Sequence, residues 1–345
     1  MLETNRVAVY YNNADVRIAE QPIPAIGPGE TLVRIHASGI CGSDVLEWYR
    51  VPKAPIVLGH EVAGEVVAIG EGVRNVAVGD RVVLSHHVPD NTCRYCLTGN
   101  HTACHTLHTT NFDPGGFAQY VRMPALQTDR GILKLPDNVT FEQGSFVEPL
   151  ACVVRAQTRS GVRPGSTVLV MGSGISGLLH IRLALALGAG RVFATDVSEY
   201  RLDWARRSGA VAFDAIAAGD KLPEMLRAAN DGNLADLVIL GTGAPSAIDQ
   251  GIACLDNGAT FVVFAVPAPG QDHPMPLNDL WRREVIVRTA YGAAPADLAM
   301  ALDLIASGRV EVTDLITHRL PLDQAQEGFQ LVANAGESVK VVLEP

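Results

Sequence analysis

A glycine-rich turn between two apolar segments constrains the fold of this chain more than any other feature. Residues 168–196 read VLVMGSGISGLLHIRLALALGAGRVFATD, and the short apolar run Val168–Met171 predicts a buried strand. The turn Gly172–Gly177 has the form G-x-G-x-x-G and is followed by an Ala- and Leu-rich helix pattern. A second strand pattern, Arg191–Thr195, ends on Asp196. This order of strand, turn, helix and strand predicts a βαβ unit of a parallel sheet.

The same turn predicts a dinucleotide site, because each of its glycines has a physical role. The first permits a tight turn, the second lets the backbone approach a pyrophosphate, and the third lets helix and strand pack closely. Free N–H groups at the helix N-terminus attract the phosphates. Asp196 follows Gly177 by 19 residues, where a carboxylate binds a ribose 2′-hydroxyl and repels a 2′-phosphate, so NAD is favoured over NADP. The predicted cofactor-binding residues are Gly172, Gly174, Ile175, Ser176, Gly177, Asp196 and Arg201.

Length and charge limit the classes of protein that this chain can represent. Its 345 residues predict about two domains, and its net charge of −10 argues against a nucleic-acid partner. It has neither an apolar run long enough to span a membrane nor a signal-peptide pattern at its start, so we expect a cytoplasmic protein without a membrane partner. In a reducing compartment, clustered cysteines indicate metal rather than disulfides.

The spacing of apolar segments predicts an α/β protein with two kinds of domain. Four short strand patterns separated by Gly and Pro predict a compact barrel-like domain: 6–11, 31–36, 62–69 and 81–84. From about residue 152, strands and helices alternate as in a doubly wound parallel sheet. These strands are predicted at 167–171, 191–195, 235–240, 259–264 and 285–289, and these helices at 177–187, 199–208, 220–229 and 245–254. A further helix is predicted at 295–307, in the tail.

Two short motifs upstream of the turn form a candidate catalytic metal site. Cys41 lies in Ser-Gly-Ile-Cys-Gly-Ser-Asp, and His60-Glu61 follow Leu-Gly. Thiolate, imidazole and carboxylate all suit zinc, and a catalytic zinc has three protein ligands and one open position. Asp44 is a candidate partner that fixes the ring of His60. The alternative is that Cys41 is a small buried residue and that His60 and Glu61 only begin a strand.

Glu148, in the apolar segment Phe-Val-Glu-Pro-Leu, is a candidate fourth ligand of the same metal. The alternative is an ordinary acidic residue at a helix start beside a proline.

A second candidate metal site lies in the irregular, polar segment 85–116. Its three cysteines have the spacing of a structural zinc site, which needs four ligands. Asp90 stands where one further step of the same spacing would place a ligand. The alternatives for the fourth ligand are histidines, and a further alternative is no metal at all. The predicted ligands are Asp90, Cys93, Cys96 and Cys104, and the alternative histidines are His86, His87, His101, His105 and His108.

Taken together, these motifs resemble the zinc-dependent medium-chain dehydrogenase/reductase superfamily over nearly the whole chain. Within it, C-G-S-D, G-H-E and E-P-L resemble the polyol branch (sorbitol, L-iditol and L-idonate dehydrogenases) and the related threonine dehydrogenases. The matching segments are Gly39–Asp44, Gly59–Glu61, Val78–Val82, the cysteine segment, Gly115–Tyr120, Glu148–Leu150 and Gly172–Gly177 with Asp196.

The resemblance implies a GroES-like catalytic domain over residues 1–151 with a zinc lobe at 86–116, a Rossmann NAD-binding domain over 152–292, and a return to the catalytic domain over 293–345. The active site would lie between the domains. Homo-oligomers, tetramers or dimers, are also implied.

The resemblance also implies roles for particular residues. Cys41, His60 and Glu61 match the catalytic zinc positions. Glu148 matches an acid that approaches the metal directly or through water, and Ser43 matches the hydroxyl that starts a proton relay.

Two residues depart from the family pattern. Asp90 stands where the lobe usually begins with a fourth cysteine, and Leu46 replaces a histidine that ends the relay in many relatives. The expected reaction is hydride transfer between NAD and a secondary alcohol of a polyol, cyclitol or sugar acid. The alternatives are an L-threonine or butanediol-type alcohol dehydrogenase, or a zinc-free reductase, which should lack Cys41, His60 and Glu61 together.

Overall fold

Short antiparallel strands with alternating burial dominate the first part of the chain in the computed structural model, which describes residues 4–345. In Thr31–Gly39, for example, Val33, Ile35 and Ala37 are buried while Arg34 between them is exposed. The strands are β1 (Thr4–Asn12), β2 (Asp15–Pro22), β3 (Thr31–Gly39), β4 (Ile56–Val57), β5 (Glu61–Ile69), β6 (Arg81–Leu84), β7 (Tyr120–Met123) and β8 (Ile132–Lys134).

Helices in this part of the chain are short. They are α1 (Glu47–Arg50), α2 (Arg94–Leu97), α3 (His105–Thr109), α4 (Ala125–Arg130) and α5 (Phe141–Gly144). The longer helix α6 (Val147–Ser160) follows. Residues 85–116 contain only α2, α3 and a 3-10 turn, so the irregular segment expected there is confirmed.

From residue 167 onward, strands and helices alternate. They are β9 (Thr167–Met171), α7 (Ile175–Ala186), β10 (Arg191–Asp196), α8 (Glu199–Arg207), β11 (Val211–Asp214), α9 (Ala215–Ala218), α10 (Leu222–Ala229), β12 (Ala235–Leu240), α11 (Pro245–Ala253), β13 (Leu255–Val263), α12 (Leu277–Arg282) and β14 (Ile286–Thr289). All strand pairs in this sheet are parallel, in the order β11-β10-β9-β12-β13-β14. The predicted doubly wound parallel sheet is confirmed, although the sequence reading missed β11, whose residues are largely exposed.

The tail adds α13 (Pro295–Ala306), β15 (Ile316–Pro321), α14 (Ala325–Ala333) and β16 (Lys340–Glu344). Strand β16 pairs with β3, so the end of the chain completes the sheet that its beginning started. That sheet has the order β15-β16-β3-β5-β6-β8, with β7 also on β3, while β2, β1 and β4 form a smaller one. An apolar core that includes Val7, Phe117 and Phe329 fills this part of the protein.

The described residues divide into two compact units. One contains the residues up to Ala151 together with Gly292–Pro345, and the other contains Cys152–Tyr291. A GroES-like unit and a Rossmann sheet therefore make up the fold. Within the described range 4–345, no helix has the length and apolar character needed to cross a bilayer.

Candidate functional site

The first cluster of ligand-type side chains lies where β3 and β5 meet. We call Cys41, His60 and Glu61 the strand cluster. One ligand atom from each residue lies within 4.8 Å of the other two. The antiparallel pairing places Gly39 at the end of β3 opposite Glu61 at the start of β5, so Cys41 arrives beside His60 and Glu61. The pairing of two strands, rather than local spacing, therefore assembles this cluster.

The donor set of the strand cluster fits zinc. Ligand atoms around a tetrahedral zinc lie roughly 3.5 Å apart, so three donors within 4.8 Å need only small side-chain adjustments to reach one ion. A thiolate, an imidazole and a carboxylate also form a neutral site with Zn²⁺. Three protein donors leave the fourth position open.

Asp44 holds the ring of His60. Its Oδ1 lies 3.4 Å from Nδ1 of His60, and its Oδ2 accepts a 3.1 Å hydrogen bond from the backbone N–H of Cys41. Burial alone would raise the pKa of the Asp44 carboxyl, but His60 and Arg50 lower it below its ordinary value. Burial alone would likewise lower the pKa of His60, but the Asp44 carboxylate raises it well above the ordinary value. The role suggested for Asp44 in orienting His60 stays a prediction.

Arg50 contacts both Ser43 and Asp44, and the sequence reading missed it. Its Nη2 donates to Ser43 Oγ at 3.2 Å and lies 3.1 Å from Asp44 Oδ1, while its Nε donates to the carbonyl of Ser43 at 2.9 Å. Leu46, one of the two departures from the family pattern, is exposed. Arg50 ends the short helix α1, which begins three residues after the C-G-S-D motif, and no motif in the sequence marked it.

Glu148 lies in the first turn of α6 and is buried, with 9% of its surface exposed. The ligand atoms that lie within 4.8 Å of one another come from Cys41, His60 and Glu61, and among the described residues Glu148 is not in that group. Its proposed contact with the metal therefore stays a prediction.

The second cluster of ligand-type side chains lies in the irregular segment. We call Asp90, Cys93, Cys96 and Cys104 the lobe cluster. Their ligand atoms also lie within 4.8 Å of one another, and Sγ of Cys93 is 3.5 Å from Sγ of Cys96. Asp90 stands in this group and the alternative histidines do not. Three sulfurs and one carboxylate give the four donors of a closed zinc site.

Local hydrogen bonds position Asp90 in the lobe cluster. Its Oδ1 accepts from the backbone N–H groups of Thr92 and Cys93, each at 2.8 Å. These bonds hold the pKa of the Asp90 carboxyl well below its ordinary value. Burial raises the pKa of Cys96 to about 12, and the hydrogen bond from Cys93 acts in the same direction. The carboxylate is thus ready to bind a cation, whereas the Cys96 thiol must lose a proton to do so.

Two of the alternative histidines pack beside the strand cluster instead. The His86 ring lies 4.8 Å from the His60 ring and 3.7 Å from the His87 ring, measured between centroids. Burial lowers the pKa of His86 well below its ordinary value, and the neighbouring histidines lower it further. His86 therefore packs against His60 as a buried ring.

The glycine turn has the geometry that phosphate binding needs. Gly172 has a φ of +96°, which an L side chain rarely adopts. A Cβ on Gly177 would lie 2.0 Å from the carbonyl oxygen of Gly172, so only glycine fits where α7 crosses β9. A Cβ on Gly174 would meet nothing closer than Nη1 of Arg201, at 3.9 Å. The space above Gly174 is therefore open to a ligand, and Arg201 borders it.

Asp196 lies at the end of β10 and points to the same turn. Its Oδ2 accepts from the backbone N–H of Ser173 at 2.8 Å, and its Oδ1 accepts from Val197 and Ser198 at 2.8 and 2.9 Å. Backbone donors thus fix the carboxylate. Ile175 and Ser176 open helix α7, whose first N–H groups face the turn.

Comparisons with protein families match both parts of the chain. Residues 27–137 match the family described as alcohol dehydrogenase GroES-like domain. Residues 176–307 match the family described as zinc-binding dehydrogenase.

Individual relatives match over nearly the full length. Sorbitol dehydrogenase of Gallus gallus is 35% identical, over 99% of this chain and 96% of its own. Probable D-xylulose reductase A of Aspergillus clavatus is 33% identical, over 95% of this chain and 93% of its own. Among solved structures, a protein of Sinorhizobium meliloti 1021, described as a zinc-binding dehydrogenase bound to NADP, is 29% identical with a TM-score of 0.88, and 99% of each chain is covered.

Proposed function

This chain belongs to the zinc-containing medium-chain dehydrogenase/reductase superfamily, and from that premise we propose that it transfers a hydride between NAD and a secondary alcohol of a polyol, cyclitol or sugar acid. Membership makes the chain a zinc-binding dehydrogenase that acts on alcohols with a nicotinamide cofactor. The specific substrate and the choice of NAD are the proposal. The observation that carries it is the strand cluster of three different donors, in which Cys41 Sγ accepts a hydrogen bond from the backbone N–H of Ser43.

We assign the metal of the reaction to Cys41, His60 and Glu61, with Glu148 as an acid that reaches it directly or through water. Zinc held there would polarise an alcohol oxygen and lower its pKa, and the nicotinamide would accept the hydride. The Asp44 carboxylate lies beside Nδ1 of His60, which leaves Nε2 for the metal.

Ser43 is the proposed first acceptor of the alcohol proton. Its Oγ accepts a hydrogen bond from Arg50, which leaves the hydroxyl proton and the second lone pair for the relay. Arg50 carries no lone pair and cannot receive the proton, and Leu46 offers no acceptor either. The proposed exits for the proton are therefore water or Glu148.

NAD is the proposed cofactor because the Asp196 carboxylate occupies the position that contacts a ribose 2′-hydroxyl. Two backbone N–H groups bind Oδ1 and one binds Oδ2, so Oδ2 retains a lone pair for the ribose. NADP in the Sinorhizobium meliloti structure makes the choice worth testing, and Arg201 beside the turn is the cation that a 2′-phosphate would use.

Replacing Asp196 tests the cofactor assignment. Asp196→Ala should lower kcat/KM for NAD by about 10–100-fold, because a hydrogen bond to a charged group contributes about 1.5–3 kcal/mol, and it should leave kcat/KM for NADP equal or higher. Arg201→Ala is the matched control and should weaken NADP more than NAD. An unchanged NAD-to-NADP ratio in Asp196→Ala would show that the ribose contact lies elsewhere.

A substrate screen tests the central proposal. Initial rates of NAD⁺ reduction would be measured over polyols, cyclitols, sugar acids, L-threonine and 2,3-butanediol. We expect the highest kcat/KM on a polyhydroxylated compound, in keeping with the sorbitol dehydrogenase and D-xylulose reductase relatives. Highest activity on threonine or butanediol would establish the alternative alcohol dehydrogenase instead, and reduction of an enone without bound zinc would establish a zinc-free reductase.

We further propose a structural zinc at the lobe cluster, held by Asp90, Cys93, Cys96 and Cys104. Metal analysis after mild dialysis should return two zinc ions per chain. A value of one zinc ion per chain would contradict the structural zinc.

A homo-oligomer, dimer or tetramer, is also proposed. Strand β14 is an edge of the parallel sheet, and its Ile286 and Val287 are exposed. Light scattering should give the mass of two or four chains.

A further inference from the structure

Lys340 is a fully buried cation beside the strand cluster. Its Nζ forms an ion pair with Oε2 of Glu61, and it donates to the carbonyl of Ile40 at 3.2 Å. Lys340 has no exposed surface and Glu61 has 1%. The two residues are 279 positions apart in the sequence. No motif in the sequence pointed to Lys340.

The strand register places Lys340 there. Strand β16 pairs with β3, matching Val342 with Gly39, and β3 pairs with β5, matching Gly39 with Glu61. Gly39 thus lies on the strand between the one that carries the lysine and the one that carries the carboxylate. A Cβ at position 39 would lie 2.3 Å from Oε2 of Glu61 and 2.6 Å from Cε of Lys340, so glycine leaves room for the ion pair.

Stability alone does not account for a buried lysine at this position. Charges removed from water lose several kcal/mol of hydration each, and replacing a buried ion pair with apolar residues is often neutral or stabilising. The neighbours in β16 are Val341, Val342 and Leu343, so an apolar residue would suit the strand. The ion pair is better explained by what it does to Glu61.

We propose that Lys340 is a positioning residue that limits Glu61 to one metal-binding oxygen. The ammonium group occupies Oε2, which leaves Oε1 for the metal. A carboxylate that bound through both oxygens would fill the position that the alcohol needs, because a catalytic zinc keeps one site open. The inference rests on the proposed metal site at Cys41, His60 and Glu61.

Cobalt substitution provides a readout that does not depend on turnover. Co²⁺ bound by a thiolate absorbs in the visible range, and four-coordinate Co²⁺ absorbs more strongly than five-coordinate Co²⁺. In Lys340→Met we expect the visible d–d bands to weaken and kcat to fall by about 10–100-fold, as is typical when a partner of a metal ligand is removed. NADH affinity should be unchanged, and Lys340→Arg should restore the spectrum.

Glu61→Gln supplies the decisive background, because glutamine offers only one oxygen to a metal. If Lys340 acts through Glu61, adding Lys340→Met to Glu61→Gln should leave the cobalt spectrum as it is in Glu61→Gln alone. Lys134→Met, which removes a surface ion pair with Asp80 in the same sheet, is the matched control and should resemble the wild type. If Lys340→Met does not fold, Gly39→Ala perturbs the same pair and should weaken the same bands.

The outcomes separate the two proposals. An unchanged cobalt spectrum in Lys340→Met, or an equal loss in the Glu61→Gln background, overturns the role of Lys340 while the metal site stands. If Cys41→Ser removes none of the cobalt absorption of the wild type, the strand cluster holds no metal, which overturns the metal site and this inference with it.

Discussion

The strand cluster and the lobe cluster have similar donors but are assembled in different ways. Cys41, His60 and Glu61 come from two strands, and a buried lysine from the end of the chain completes their surroundings. The lobe cluster comes from one segment, Asp90 to Cys104, and is set by backbone hydrogen bonds and two short helices. The first site depends on tertiary structure and the second on local spacing.

The two clusters also differ in the groups that surround them. Charged and polar groups surround the strand cluster, where Asp44, Arg50, Ser43 and Lys340 each contact a ligand or one another. The lobe cluster packs against Leu107, and its polar contacts are mostly to its own backbone. A site that must react needs groups that orient and move protons, whereas a site that only holds the chain together needs a closed set of ligands.

The largest effect should come from breaking the strand cluster. Cys41→Ser should lower kcat by about 10³-fold or more, because metal polarisation contributes several kcal/mol to the barrier. NADH binding, followed by fluorescence, should persist, since the glycine turn lies in the other unit. Normal turnover in Cys41→Ser would remove the functional contrast between the two clusters.

An intermediate effect, on stability rather than on rate, should come from breaking the lobe cluster. Cys104→Ser alters a buried ligand, and we expect zinc content to fall by one ion per chain and Tm to fall by roughly 3–10 °C. The kcat of the folded fraction should stay within about threefold, because the lobe ligands do not touch the strand cluster. Calorimetry with metal analysis would measure both, and a loss of kcat as large as that of Cys41→Ser would mean that the lobe is part of the reaction site.

The smallest effect should come from exchanging the unusual ligand of the lobe. Asp90→Cys provides a fourth thiolate, which zinc favours, and should slow the loss of zinc to a chelator, while Asp90→Ala should accelerate it. Zinc release can be followed with a colorimetric indicator. Equal release rates in the wild type, Asp90→Cys and Asp90→Ala would show that Asp90 is not a ligand.

Much of the fold could be predicted from local sequence patterns. The strand at 235–240 and the one at 81–84 were predicted with their observed bounds, because apolar runs flanked by glycine and polar residues mark buried strands. Strand β2 (Asp15–Pro22) was missed, since its residues are mostly half-buried or exposed and show no apolar run. Strand β11 was missed for the same reason. Edge strands carry a weak hydrophobic signal, so pairing with a neighbour decides their structure.

The sequence by itself determined the glycine turn with Asp196 and the spacing of the lobe cysteines, because those features depend on residues close together in the chain. Only the tertiary structure revealed Arg50 beside Ser43 and Lys340 beside Glu61. In the sequence alone, the lysine in Val-Lys-Val-Val-Leu only interrupts an apolar strand pattern. Its meaning comes from the register of three strands, in which Gly39 leaves the space where two distant charges meet. Register depends on pairing between distant segments, and no local pattern encodes it.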